Sequence, residues 1–142
     1  KNEGYLDAGT AGCIQKKEIM EFLNTNVGKR MQNAARAKTL YREQPFVLGV
    51  DAKEFYPDQK KGEMVLIQGI IDAYFEEDGE IIVLDYKTDR VQTEAELKDR
   101  YREQLRLYTK ALEQITRKKV KEQIIYSFTL CKEIHLEGYK ND

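Results

Sequence analysis

The chain has 142 residues, enough for one domain with a sizeable core, and its mix of 35% charged and 41% apolar residues is that of an ordinary soluble globular protein. Lys and Arg total 24 against 25 Asp and Glu, which excludes a net field that attracts nucleic acid and leaves any such binding to local patches. Cys13 and Cys131 stand far apart, outside any CxxC spacing, which argues against a zinc ribbon, an iron–sulfur cluster or a disulfide scaffold and suits free thiols in a reducing cytoplasm; no apolar run approaches membrane-spanning length.

In chain order, Gln15 to Asn24 carries Ile19, Met20 and Leu23 at helical spacing, and Thr25 or Asn26 caps a second helix to about Lys38. Leu40 to Phe55 turns extended, with Pro45 indicating an edge strand or a bulge. Pro57 to Gly62 reads as a polar loop. Two strands follow, Met64 to Phe75 and Glu80 to Tyr86, joined through Glu76-Glu77-Asp78-Gly79. Asp-Gly between apolar runs predicts a hairpin, because both central residues of a type I′ turn need positive φ. Thr93 and Glu96 form a capping box for a long helix to about Arg117, with Leu97, Tyr101, Leu105, Tyr108 and Leu112 as its seam. Ile124 to Leu130 and Ile134 to Leu136 are the remaining strand candidates. The order predicts a mixed α/β domain with a central sheet flanked by helices.

Asp is disfavoured inside strands, yet Asp72 and Asp85 both fall within the hairpin strands, and Lys87 follows Asp85 by two residues on the same face. A two-residue loop sets Asp72 directly opposite Asp85; a four-residue loop sets it opposite Val83, one diagonal step away. Either register leaves both carboxylates beside the ammonium on one face. Converging carboxylates repel unless a cation intervenes, and a hard divalent ion such as Mg²⁺ suits oxygen ligands. Such an ion would activate a coordinated water, with Lys87 orienting that water or offsetting developing negative charge. The competing reading is a solvated salt bridge among the three. Against it, Ile70, Tyr74, Val83 and Ile81 at the same parity make that face largely apolar. Glu43 is either a further acid approaching from a neighbouring strand or a solvated side chain. Gln104 lies between Tyr101 and Tyr108 on the helix seam, as a core neighbour or as a phosphate or base contact with tyrosine rings available for stacking. Lys98, Arg100, Arg102, Arg106 and Lys110 read as a solvated helix face.

Three strings carry a resemblance: Gln68-Gly69-Ile70-Ile71-Asp72, then Asp85-Tyr86-Lys87-Thr88-Asp89-Arg90, then Tyr101-Arg102-Glu103-Gln104-Leu105-Arg106-Leu107-Tyr108. Together they resemble the RecB-type nuclease domain, a branch of the PD-(D/E)XK superfamily with a restriction-endonuclease-like fold, and within it the C-terminal nuclease domain of the AddA type. Tyr41 to Phe46 is similar to the family's upstream strand motif. The resemblance implies that Asp72, Asp85 and the Tyr86 backbone carbonyl bind Mg²⁺, with Mn²⁺ as a substitute. It makes Lys87 the catalytic lysine, Gln104 and Tyr108 the helix motif, and Glu43 an outer acid. It implies exonuclease cleavage of phosphodiester bonds in DNA single strands unwound by a helicase, in double-strand-break repair and homologous recombination. The implied partner is an AddB-type protein in a heterodimer.

Two departures stand out. Such domains usually carry a metal-binding histidine upstream of the first core strand, whereas the one histidine here is His135. The resemblance then implies that residues 1–142 are a single nuclease domain, an N-terminally truncated fragment of a larger helicase–nuclease, lacking one ligand and not expected to be active by itself. No GxxxxGK[ST] loop is present, so ATP belongs to the parent helicase and is not bound here. The alternatives are a stand-alone RecB-like exonuclease of a phage or plasmid, and a non-catalytic DNA-binding or docking module on the same fold.

Overall fold

The computed structural model describes residues 15–54 and 62–136. Helices α1 (Lys16–Leu23) and α2 (Asn26–Arg36) lead into strand β1 (Leu40–Asp51) and a single 3-10 turn, Ala52–Glu54. Strands β2 (Met64–Glu77) and β3 (Glu80–Lys87), helix α3 (Glu94–Thr116), then β4 (Val120–Ser127) and β5 (Lys132–Leu136) complete the chain order. The five strands form one sheet in the order β1-β2-β3-β4-β5. All neighbours are antiparallel except β3 and β4, the parallel pair that α3 connects. This is the mixed α/β sheet with flanking helices that the sequence predicts.

Strand β3 is buried from Ile81 through Tyr86 with no alternation, because helices cover both of its faces. On one face Ile81 and Val83 join Leu97, Leu105 and Leu112 of α3. On the other, Ile82 and Leu84 join Phe22 of α1 and Met31 of α2. Helix α1 is too short to be stable alone. Phe22 anchors it, packing edge-on against Tyr126 at 4.8 Å and Tyr86 at 5.6 Å, a burial of about 1.5–3 kcal/mol. The apolar face of α1 differs from the expected one, since Met20 is largely exposed and Phe22 is the fully buried residue.

Thr25 is the N-cap of α2, accepting from the Gly28 N–H at 3.1 Å. Thr93 caps α3 with the expected capping box, accepting from the Glu96 N–H while Glu96 accepts from the Thr93 N–H. Pro45 sits on β1, an edge strand, where its missing N–H costs no ladder bond. The extended stretch ends at Asp51 instead of continuing to Glu54, because the Asp51 carboxylate accepts from the N–H groups of Lys53 and Gly62 and curls the chain. Phe55 and the loop expected over Pro57 to Lys61 lie outside the described residues. The fourth strand is shifted toward the N-terminus relative to expectation: the chain turns over residues 128–131, with Cys131 at φ 56°. Cys131 is a free thiol, and Cys13 lies outside the described residues. Among the described residues, no helix is long and apolar enough to cross a membrane.

Candidate active site at the fork of strands β2 and β3

The hairpin closes through the two-residue loop. Glu77 pairs with Glu80, and Asp78 and Gly79 hold φ of 53° and 79°, as a type I′ turn requires. Pairing continues to Ala73 opposite Leu84 and stops. One residue further along both strands come Asp72 and Asp85, the pair counted from the two-residue loop. From there the strands part: β2 runs on to Met64 paired with β1, and β3 runs on to Lys87 paired with β4. The carboxylates therefore stand at the mouth of a fork.

A second break coincides with it. Ile71 packs into the α3-side core, yet Ala73, two residues on, packs into the opposite one. Strand β1 changes in step: Leu40 packs on the α1/α2 side, and Phe46, Leu48 and Val50 on the α3 side. The pairing between β1 and β2 is continuous except where Glu43 meets Asp72, and Glu43 has φ 51°, a conformation costly for a residue with a Cβ. This overturns part of the face expected from alternation. Tyr74, Val83 and Ile81 are buried on it, whereas Ile70 is 59% exposed beyond the break.

At the fork the Tyr86 N–H donates to Asp72 Oδ2 at 2.9 Å. Asp85 is only 2% exposed, and its Oδ2 has no hydrogen-bond partner; the Lys87 ammonium stands 2.9 Å from that oxygen as an ion pair. Lys87 Nζ donates to Gln104 Oε1 at 3.0 Å and lies 3.8 Å from the centre of the Tyr101 ring. The Tyr101 hydroxyl donates to Asp89 Oδ2 at 2.6 Å, and Arg100 donates to the same oxygen at 2.7 Å. Burial tends to raise the Asp89 pKa, but the bonds from Tyr101 and Arg100 outweigh it and hold the carboxyl below its usual value. Burial, then the bond to Asp89, pushes Tyr101 up to about 12. Tyr108 donates to the Ile70 carbonyl at 3.2 Å. Burial, then the charges of Asp85 and Asp72, raises its pKa above the ordinary phenol value.

The structure thus brings Asp72, Asp85, Lys87, Gln104 and Tyr101 together around Tyr86, with Tyr108 behind them. Glu43 shares a cleft of about 420 Å³ with Asp72, Pro45 and Ile70. Of the two tyrosine rings read as available for stacking, Tyr108 is buried edge-on against Phe46 at 5.6 Å, and the part-exposed Tyr101 turns one face to the ammonium. Gln104 touches Lys87. The α3 basic residues are more engaged than a solvated face implies, since Arg106 and Lys110 both reach Glu54. His135 lies on β5, paired with Glu133. Sequence reasoning assigned no role to Asp89 or Arg100, whose partnership depends on where α3 lies on the sheet.

Among the described residues no three His, Cys, Asp or Glu side chains form a ready metal cage. Two carboxylates are nonetheless the donor set Mg²⁺ commonly takes from a protein, because it keeps several waters. The buried Asp85 carboxylate fits such an ion, since its Oδ2 faces the Lys87 ammonium as an ion pair but makes no hydrogen bond, which leaves acceptor capacity for a cation.

The PD-(D/E)XK nuclease superfamily matches residues 12–136. The chain is similar to several bacterial proteins whose names describe them as subunits of an ATP-dependent helicase/nuclease. One from Lachnoclostridium phytofermentans is 36% identical over 96% of this chain and 12% of its own length. One from Thermoanaerobacter sp. is 44% identical over 78% of this chain and 9% of its own length. One from Syntrophomonas wolfei is 42% identical over 92% and 10% respectively. The chain therefore spans about a tenth of the length of these relatives. With a family match over residues 12–136 and relatives 36% to 44% identical over most of its length, the chain belongs to the PD-(D/E)XK nuclease superfamily.

Proposed function

We propose that this domain is a Mg²⁺-dependent deoxyribonuclease that cleaves phosphodiester bonds in unwound single strands, as the exonuclease part of a cytoplasmic helicase–nuclease for double-strand-break repair and homologous recombination. The observation that carries the reading is the buried Asp85 carboxylate at the open fork beside Asp72, ion-paired with Lys87 while its Oδ2 makes no hydrogen bond. The similarity to helicase/nuclease proteins supports the cellular setting and an AddB-type partner, with ATP handled elsewhere in the longer protein.

In this reading Asp72, Asp85 and the Tyr86 carbonyl hold the ion, and Glu43 flanks the same cleft. When bound, the ion polarises the phosphoryl group and lowers the pKa of a coordinated water. The chain's own groups do the rest. Lys87 presents a fixed positive charge to the phosphoryl oxygens as negative charge develops. Gln104 holds that ammonium through its side-chain carbonyl. Tyr108 braces the Ile70 backbone, one side of the cleft.

The test is degradation of end-labelled single-stranded DNA with Mg²⁺ by a polypeptide extended upstream as in the longer relatives, alongside Mn²⁺ binding measured by electron paramagnetic resonance. Asp85→Ala is expected to abolish cleavage and weaken Mn²⁺ binding at least tenfold. Wild-type cleavage and Mn²⁺ binding by Asp85→Ala would sink the proposal.

A further inference from the structure

The Lys87 ammonium meets the Asp85 carboxylate at 2.9 Å, Gln104 Oε1 at 3.0 Å and, third, the Tyr101 ring at 3.8 Å. The first two are polar. The third is different, since a ring face attracts a cation without taking one of its hydrogens. A flexible lysine loses side-chain entropy when held in place, and the ring offsets part of that cost by making one orientation preferable.

The ring is itself held. Its hydroxyl donates to Asp89 Oδ2, and the same oxygen receives Arg100 from the preceding position of α3. Asp89 lies in the segment between β3 and α3, two residues past Lys87, so one short stretch supplies both the ammonium and the anchor for the ring beneath it. The Asp89 backbone is tied in turn, its carbonyl accepting from the Thr129 hydroxyl at 2.7 Å. A chain of contacts thus runs from the turn after β4, through Asp89 and Tyr101, to the lysine ammonium.

We infer that Tyr101, anchored by Asp89, is the positioning residue that seats the Lys87 ammonium beside Asp85 and Gln104. The inference rests on the nuclease reading of Lys87 for its kinetic consequence, though not for its geometry. A ring without a hydroxyl keeps the seat but loosens its anchor, while an aliphatic side chain of similar bulk removes the seat.

Two measurements test this. In the first, selectively labelled Lys87 is followed by NMR in the chain itself, without metal or DNA. Its ε-methylene protons are expected to be shifted upfield by the Tyr101 ring current, to remain largely so in Tyr101→Phe, and to move to ordinary lysine positions in Tyr101→Leu. Asp89→Asn, which weakens the same anchor, is expected to match Tyr101→Phe, and Tyr101→Met, which also removes the ring, keeps the inference testable if Tyr101→Leu does not fold. In the second, the polypeptide of the cleavage assay is compared across the same variants. Tyr101→Leu is expected to lower kcat about tenfold with KM changed less than about twofold, and Tyr101→Phe to recover most of the loss. An unshifted Lys87 in the wild type, or full kcat in Tyr101→Leu where Lys87→Met is inactive, overturns the inference. If Lys87→Met cleaves at the wild-type rate, the nuclease reading of the lysine falls instead, and the NMR shift alone decides for or against the seat.

Discussion

The backbone N–H of Tyr86 donates to the Asp72 carboxylate at 2.9 Å, at the point where strand pairing between β2 and β3 ends. A side chain has taken over from the backbone as the acceptor, and this lets the two strands diverge without leaving that donor unpaired. Asp72 therefore has a structural duty as well as its proposed place at the metal.

The two duties separate by substitution. Asp72→Asn keeps an oxygen that can accept from Tyr86, so its unfolding free energy from urea denaturation should stay within about 0.5 kcal/mol of the wild type. Asp72→Ala leaves a part-buried N–H unsatisfied and should cost about 1–3 kcal/mol. Both should weaken Mn²⁺ binding. Equal stability for the two variants would show that the bond does not hold the fork.

Gly69 lies opposite Phe46 on β1, and a Cβ there would come within 2.8 Å of the Phe46 ring. That ring packs edge-on against Tyr108, the donor to Ile70. Gly69→Ala is expected to cost about 1–3 kcal/mol by overpacking, read as a lowered Tm. Combining it with Phe46→Leu should restore part of the loss, since the smaller side chain clears the contact. A double variant no more stable than Gly69→Ala alone would mean the strain lies elsewhere.

At the opposite end of the sheet, Arg30 forks between Glu77 at 2.7 Å and Glu122 at 2.6 Å, with Lys121 near Glu77. The hydrogen bonds from Arg30 hold both carboxyls below the usual glutamate value of 4.5. The unfolded chain then takes up these protons at higher pH than the folded one. The stabilisation is thus complete above about pH 4.5 and is lost as pH falls through the depressed folded values. Arg30→Met should cost about 2 kcal/mol at pH 7, where it leaves two neighbouring glutamates without their shared cation. The difference should shrink progressively in denaturation curves as pH falls below about 4.5 through the depressed folded values. A penalty independent of pH would assign the role of Arg30 to packing against Phe75 instead.

Much of the site was legible because its determinants are local. Asp78-Gly79 dictates a two-residue turn through positive φ, and the turn dictates the register that brings Asp72 level with Asp85. Parity along β3 then places Lys87 with Asp85, and the Thr93–Glu96 box starts α3 where Gln104 comes round to meet it. These rules act over a few residues, so a linear reading captures them.

What was not legible depends on packing between distant segments. The turnover at Glu43 and Asp72 puts a left-handed backbone at a glutamate, where no glycine announces it, and so Ile70 was assigned to the wrong face. Alternation predicts a side only while a strand stays in one phase, and here two cores compete for the same strand. Asp89 meets Tyr101 and Arg100 only because α3 docks across the sheet at one angle. By itself the sequence determined the hairpin, its register and the acids and lysine on one face, since turn geometry and strand parity leave few choices. Only the tertiary structure decided that the strands fork at those acids, that Asp85 is sealed against the Lys87 ammonium, and that Tyr101 faces that ammonium. Burial and long-range docking are collective properties of the packed core, and no short window of residues contains them.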